Sequence, residues 1–214
     1  MKININEVFK SIQGEGKSIG KPILFIRLSG CNLRCDFCDT KYHTEIKYDN
    51  ISEEMLNLLK ENKQWCITGG EPLLQQEKII ELIEECNPEW VEIETNGTIR
   101  PTYILLNMIN QWNISPKNPE HNKVKNINYI FLDWNNINSY NHIIKFVYTD
   151  KKNEKFIENI IDKYCLKNIY IMPEGSTKKE QENKTKEVIK YCIKNNYIFS
   201  PRIHVLVWDN KKGI

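Results

Sequence analysis

Cys31, Cys35 and Cys38 lie in the run Gly30-Cys31-Asn32-Leu33-Arg34-Cys35-Asp36-Phe37-Cys38-Asp39-Thr40, directly after a strand-like stretch, Pro22–Leu28. Clustered cysteines at short spacing are the usual protein ligands of iron–sulfur centres. Three thiolates on one loop, with no obvious fourth, hold three irons of a four-iron cluster and leave the last iron open. A chelating substrate or cofactor can bind there and receive an electron. A structural zinc site instead closes a tetrahedron of four Cys or His ligands, and His43 would complete one with the same three cysteines. A fortuitous group of core thiols is the third reading. Cys66, Cys86, Cys165 and Cys192 lie in or beside strand-like and helical patterns, where isolated cysteines are mostly small buried hydrophobes. The odd total of seven, with no secretory leader, argues against a disulfide framework.

Other residues offer chemistry of their own. Gly69-Gly70 lacks the frame of a phosphate loop, but two adjacent glycines let the backbone come close to a ligand; a tight turn enforced by Pro72 is the plainer reading. Arg27 sits inside an otherwise apolar strand and offers the rigid fork that suits a carboxylate, or else it is a strand-end charge reaching solvent. His204 lies in Arg202-Ile203-His204-Val205-Leu206, where strand alternation puts it on the face of Arg202 and Leu206. A satisfied structural histidine is an open reading there.

The elements that must position these residues alternate between strand-like and helix-like runs, which marks β/α architecture. Strands are expected at 22–28, 65–68, 90–94, 111–114, 142–148 and 168–172, with a last one near 203–207. Helical patterns cover 52–61, 75–85, 102–110, 154–164 and 179–194, with Ser52 a plausible N-cap. Residues 118–140, Asn-rich around a short apolar run, read as an insertion or an irregular crossover in a single domain spanning 1–214. A full eight-unit barrel usually needs about 250 residues, so an open, partial β/α barrel of about six parallel strands fits better, with an N-terminal extension and a modified C-terminal segment. The polar motifs follow nearly every strand, and in such a fold they converge at the C-terminal edge.

Of 214 residues, 40% are hydrophobic, enough for a sizeable core, and no run approaches the roughly 20 apolar residues of a bilayer span. A soluble cytoplasmic protein is the default expectation, with no membrane partner. A net charge of +2 from 30 basic and 28 acidic residues gives no reason to expect nucleic acid. The Lys-rich part from 151 to 194 is interleaved with Glu, as on a solvated helical surface.

The cysteine spacing, with Phe37 before the last thiol, resembles the radical S-adenosylmethionine enzymes. Further motifs narrow the likeness: Ser11-Ile12-Gln13-Gly14-Glu15-Gly16, the run from Phe25 to Leu33, Cys38-Asp39-Thr40, Thr68-Gly69-Gly70-Glu71-Pro72, Glu94-Thr95-Asn96-Gly97 and Ile114-Ser115-Pro116-Lys117. With His204, these make the whole chain similar to the 7-carboxy-7-deazaguanine synthases, which are carbon–nitrogen lyases of that superfamily. The resemblance implies a [4Fe-4S] cluster on Cys31, Cys35 and Cys38. Its open iron would take the amino and carboxylate groups of S-adenosylmethionine, whose one-electron cleavage yields a 5′-deoxyadenosyl radical. Phe37, Cys38 and Asp39 would meet the adenine, Gly70 the methionyl amino group, and Ser115, Pro116 and Lys117 the ribose or carboxylate; loop packing and an exposed turn are the bland readings of Phe37 and of the Ser-Pro-Lys turn.

The implied reaction is ring contraction of 6-carboxy-5,6,7,8-tetrahydropterin to 7-carboxy-7-deazaguanine with loss of ammonia, toward 7-deazapurines such as queuosine. Ile12, Gln13, Gly14, Glu15, Arg27, Thr68, His204 and the terminal carboxylate of Ile214 are the implied substrate contacts. Glu15 also reads as a solvated turn residue and the terminus as a frayed tail. Mg²⁺ would use the Thr40 hydroxyl with substrate oxygens and water. An external one-electron reductant, such as flavodoxin or ferredoxin, and a homodimer are implied as well. Arg202 and Val205 stand where the family often shows glutamine and lysine around its histidine. A glycyl-radical-enzyme activase, with the same cluster and cofactor, is the nearest rival, and a zinc-stabilised interaction module is a more distant one. A Rossmann oxidoreductase is disfavoured, since no GxGxxG follows the first strand.

Overall fold

Side-chain alternation along the strands divides the molecule into two faces. In β1 (Lys2–Ile12), β2 (Pro22–Leu28) and β3 (Tyr48–Asn50), the N-terminal part forms an antiparallel edge with β1 between the other two. From β2 onward the strands run parallel: β4 (Gln64–Gly69), β5 (Trp90–Thr95), β6 (Gln111–Ile114), β7 (His142–Tyr148), β8 (Ile169–Pro173) and a two-residue β9 (Ile198–Phe199). The sheet order is β3-β1-β2-β4-β5-β6-β7-β8-β9. From β2 on, it follows the chain without a reversal, and its two ends are not paired with each other. This is an open α/β partial barrel. The computed structural model describes residues 2–38, 45–133, 140–211 and 213.

Leu24, Ile26, Trp65, Ile67, Val91, Ile93, Trp112, Ile114, Ile144 and Phe146 point to one face of the sheet and join a single apolar core. The helices α1 (Glu53–Glu61), α2 (Gln76–Cys86), α3 (Tyr103–Met108), α4 (Lys152–Tyr164) and α5 (Lys178–Asn195) return the chain between strands, and their buried apolar residues belong to the same core. Local signals start and stop them. The Ser52 side chain accepts from Met55 N at 3.2 Å, Thr177 and Glu180 form a capping box, and Asn87, Cys165 and Asn196 end helices in the left-handed conformation. The opposite face carries Arg27, Cys66, Thr68, Glu92, Glu94, Gln111, Asn113 and Lys145. A buried parallel sheet is normally apolar on both faces, so this polar lining marks the face that the fold reserves for chemistry.

The strand expected near 203–207 is instead a helix, α6 (Ile203–Trp208), packed on α5. A short apolar run reads equally as strand or helix. Here β9 has already taken the sheet edge, and Pro201 follows with no N–H to extend a ladder. The first turn of α6 is anchored by Ile203 N donating to Gly14 O at 3.0 Å. His204 therefore shares no strand face with Arg202 and Leu206. β1 was expected only as an extension; a register shift between Ile5 and Glu7 breaks its alternation.

Candidate active site

The cysteine loop leaves the C-terminal end of β2 and is held by backbone contact on the next turn. Gly70 N donates to Leu28 O at 3.0 Å and Glu71 N to Gly30 O at 2.8 Å. A Cβ at Gly70 would lie 1.8 Å from Gly30 O, so only glycine permits this approach. The Glu71 carboxylate, fully buried, accepts from Leu73 N at 3.0 Å, Thr95 Oγ1 at 2.7 Å and Asn96 N at 2.7 Å. It pins the β4 and β5 turns together, although burial pushes its pKa up. Asn96 Nδ2 then donates to Asn32 Oδ1 at 2.9 Å, which fastens the cysteine loop from the β5 side.

Cys31, Cys35 and Cys38 face a common cavity of about 740 Å³ at the C-terminal ends of the parallel strands. Burial pushes the Cys31 and Cys35 thiols up; Glu71 and Cys38 push Cys31 further, and Cys38 and Cys31 push Cys35 further. Thiolates gathered in this way are stabilised by a cationic centre, and metal binding requires the deprotonated form. Among the described residues no three His, Cys, Asp or Glu side chains already close on a single ion. A four-iron cluster is larger than one ion and takes its thiolates further apart, so the trio's chemistry and common exposure to the cavity fit it.

Across the cavity lies an ionic floor. Lys145 Nζ is 2.5 Å from Glu15 Oε2 and 3.5 Å from Glu94 Oε1, and Arg202 Nε is 2.7 Å from Glu15 Oε1. Burial alone would raise the Glu15 carboxyl. Lys145 first, then Arg202 and His204, hold it well below the usual carboxylate range. For Lys145, burial opposes the charge, and Glu15 and Glu94 raise its pKa above the ordinary lysine value. Thr68 Oγ1 donates to Glu94 Oε2 at 2.8 Å. Beneath these, Gln13 Nε2 donates to Glu92 Oε1 at 2.5 Å, while Gln13 Oε1 accepts from Glu15 N at 3.2 Å.

The structure brings most of the sequence-selected residues to this cavity. Ile12, Gly14, Arg27 and Thr68 line it on the floor side, and Phe37, Gly70, Ser115 and Lys117 on the thiol side. Lys117 Nζ donates to Ser115 Oγ at 2.6 Å, with Pro116 buried between them. The Phe37 ring meets His121 edge-on at 6.2 Å. Arg27 Nε is paired with Glu7 Oε1 at 2.6 Å, so Glu7 fixes how the fork is presented. The His204 ring lies directly over Gly14, where a Cβ would stand 1.9 Å from Nδ1. Gln13 reaches the cavity, but its amide is occupied by Glu92 and Glu15. Asp39, Thr40 and Ile214, and the zinc alternative's His43, lie outside the described residues. Lys145, Glu94 and Arg202 were not selected from sequence as site residues. Lys145 carries the same signal as Arg27, a cation inside an apolar strand.

Residues 25–183 match the family model of the radical SAM superfamily. A 7-carboxy-7-deazaguanine synthase of Clostridium acetobutylicum is 35% identical over the whole of both chains. The crystal structure of QueE from Escherichia coli superposes with a TM-score of 0.70 at 24% identity, covering 95% of each chain. Streptococcus suis SuiB bound to S-adenosylmethionine gives 0.53 at 16% identity, covering 80% of this chain and 48% of that one. The chain belongs to the radical SAM superfamily and, within it, to the family of the 7-carboxy-7-deazaguanine synthases.

Proposed function

We propose that this protein contracts the ring of 6-carboxy-5,6,7,8-tetrahydropterin to 7-carboxy-7-deazaguanine, with ammonia as the second product. The observation that carries the reading is a single cavity with three thiols at one end and an acceptor-rich ionic floor at the other. The overall change removes the elements of ammonia with no net oxidation. When bound, the [4Fe-4S] cluster and S-adenosylmethionine supply the one-electron chemistry that starts and ends such a cycle.

The protein's own residues bind and orient. Cys31, Cys35 and Cys38 would hold the cluster; Phe37 and the Cys38–Asp39 backbone would meet the adenine. Gly70 offers its carbonyl to the methionyl amino group, its N–H being engaged by Leu28. Ser115, Pro116 and Lys117 border the ribose and carboxylate. On the floor, Glu15, held as a carboxylate by Lys145 and Arg202, and Glu94 beside it face the amino and ring N–H edge of the pterin. Arg27, braced by Glu7, takes the substrate carboxylate. Ile12, Gln13, Gly14, Thr68 and His204 would close the pocket round the heterocycle, and the Ile214 carboxylate would be a further substrate contact. Thr40 would offer its hydroxyl to Mg²⁺, a hard cation that takes oxygen ligands and would polarise substrate oxygens.

In this reading one domain spans residues 1–214, works as a cytoplasmic homodimer, draws electrons from a flavodoxin or ferredoxin, and feeds queuosine-type deazapurine synthesis. Among the described residues no helix is long and apolar enough to cross a membrane. Full-length likeness to the synthases speaks against an activase and against a zinc module. The test is anaerobic reconstitution followed by assay with S-adenosylmethionine, Mg²⁺ and the carboxytetrahydropterin. Four irons per chain and equimolar carboxydeazaguanine and ammonia are expected; stoichiometric zinc without iron, or no product from loaded protein, refutes the reading.

A further inference from the structure

We propose that Asn122 is a positioning residue for the iron–sulfur centre that raises its reduction potential through an N–H···S hydrogen bond to Cys35; this rests on the cysteine trio holding a four-iron cluster. Asn122 lies 87 residues along the chain from Cys35, yet its Nδ2 is 3.1 Å from Cys35 Sγ. The approach is built by the backbone. Asn118 caps a 3-10 turn over Pro119–His121, with Glu120 N donating to Asn118 Oδ1 at 2.9 Å, and the chain then runs along the cysteine loop. Asp36 N donates to His121 O at 2.9 Å, Lys123 N to Arg34 O at 3.0 Å, and Cys35 and Asn122 form an isolated antiparallel bridge.

Hydrogen-bond partners also fix which way the Asn122 amide points, the usual ambiguity for such a group. Its Oδ1 accepts from Arg34 N at 3.1 Å and from Val124 N at 2.9 Å. Two backbone donors demand the oxygen on that side, so the NH₂ group must face the sulfur. Asn122 is only 1% exposed, so water does not compete for the contact. An electron entering a cluster increases negative charge on its thiolate sulfurs, and a donor aimed at one of them stabilises the reduced form more than the oxidised form. The contact therefore makes the cluster easier to reduce.

The experiment compares reconstituted wild-type protein with Asn122→Ala and Asn122→Asp by iron and sulfide content and by an EPR-monitored redox titration. Alanine removes donor and acceptor. Aspartate keeps acceptors for Arg34 N and Val124 N but no amide donor. Both are expected to retain four irons and to shift to more negative potential. For alanine the shift should be about tenfold in the reduction equilibrium, or ~59 mV for a one-electron couple. Should alanine fail to load, aspartate is judged by the same criterion. A loaded variant with the wild-type potential overturns the proposal, as does iron loss that leaves the remaining cluster at that potential. Wild-type protein that takes up no cluster refutes the underlying reading instead.

Discussion

The two ends of the cavity are built in opposite ways. At one end the three thiols lie within eight positions of one another. Their support is largely neutral: backbone contacts at Gly30 and Gly70, and amides of Asn96 and Asn122. At the floor, Glu15 meets Lys145 from 130 residues away and Arg202 from 187 residues away, and the support is charge. A cluster brings its own charge and needs exact spacing, which close backbone packing supplies. A polar heterocycle with donors on one edge and a carboxylate needs fixed acceptors and cations, which the inner sheet face supplies. Breaking one end should leave the other largely intact.

Gly70→Ala should have the largest effect. Its Cβ would fall 1.8 Å from Gly30 O, a backbone atom that cannot rotate away. Cluster uptake after reconstitution should drop to near zero while circular dichroism shows the α/β fold retained. Full iron loading would show that the two loops are not tightly coupled. Cys66→Ala, in the sheet rather than the loop, should load normally by the same assay.

Lys145→Met attacks the floor alone. Removing one member of a buried ion pair typically costs about 3–5 kcal/mol when the other charge is left uncompensated; Glu15 keeps Arg202, so the low end of that range is expected. Urea denaturation should show a loss of that order, with Glu15→Gln in the same background restoring part of it. Additive losses in the double variant would mean that the two residues are not coupled.

Arg27→Lys should leave iron content and S-adenosylmethionine affinity unchanged and lower kcat/KM for the carboxytetrahydropterin. A charge-assisted contact is worth about 1.5–3 kcal/mol, or roughly ten- to hundredfold. An effect confined to S-adenosylmethionine binding would move Arg27 to the other end of the cavity.

The smallest effect is on acid stability. Glu15 has a folded pKa below its ordinary value of 4.5, so its contribution is complete above that value and lost as pH falls through the folded one. Glu71 and Glu92, raised by burial, act in the opposite sense, since acidification relieves their cost. Glu15→Gln should therefore flatten the acid limb of denaturation midpoint against pH; an unchanged limb would show that other carboxylates control it.

The same contrast governed what the sequence disclosed. β2, β6 and β7 begin and end where their apolar runs do. The cysteine trio, Gly70 and the Ser115–Lys117 turn are local motifs and were legible as such. Among the described residues β3 pairs only with β1, through three exposed residues, and β9 is two residues long, too little pattern for either to register. Residues 203–208 misled because a short apolar stretch carries no period of its own. The ionic floor was hidden for a different reason: no local spacing links Glu15, Lys145 and Arg202, and only the tertiary fold, with Ile203 N bonded to Gly14 O, brings them together. Asn122 was passed over inside an Asn-rich stretch, where composition masks a single buried amide.

Deuterium at C6 of the carboxytetrahydropterin tests the joint working of both ends most directly. In reduced, loaded protein with S-adenosylmethionine and Mg²⁺, the label should appear at the 5′ carbon of the cofactor during formation of 7-carboxy-7-deazaguanine. Product formed without any such transfer would contradict the proposed cycle.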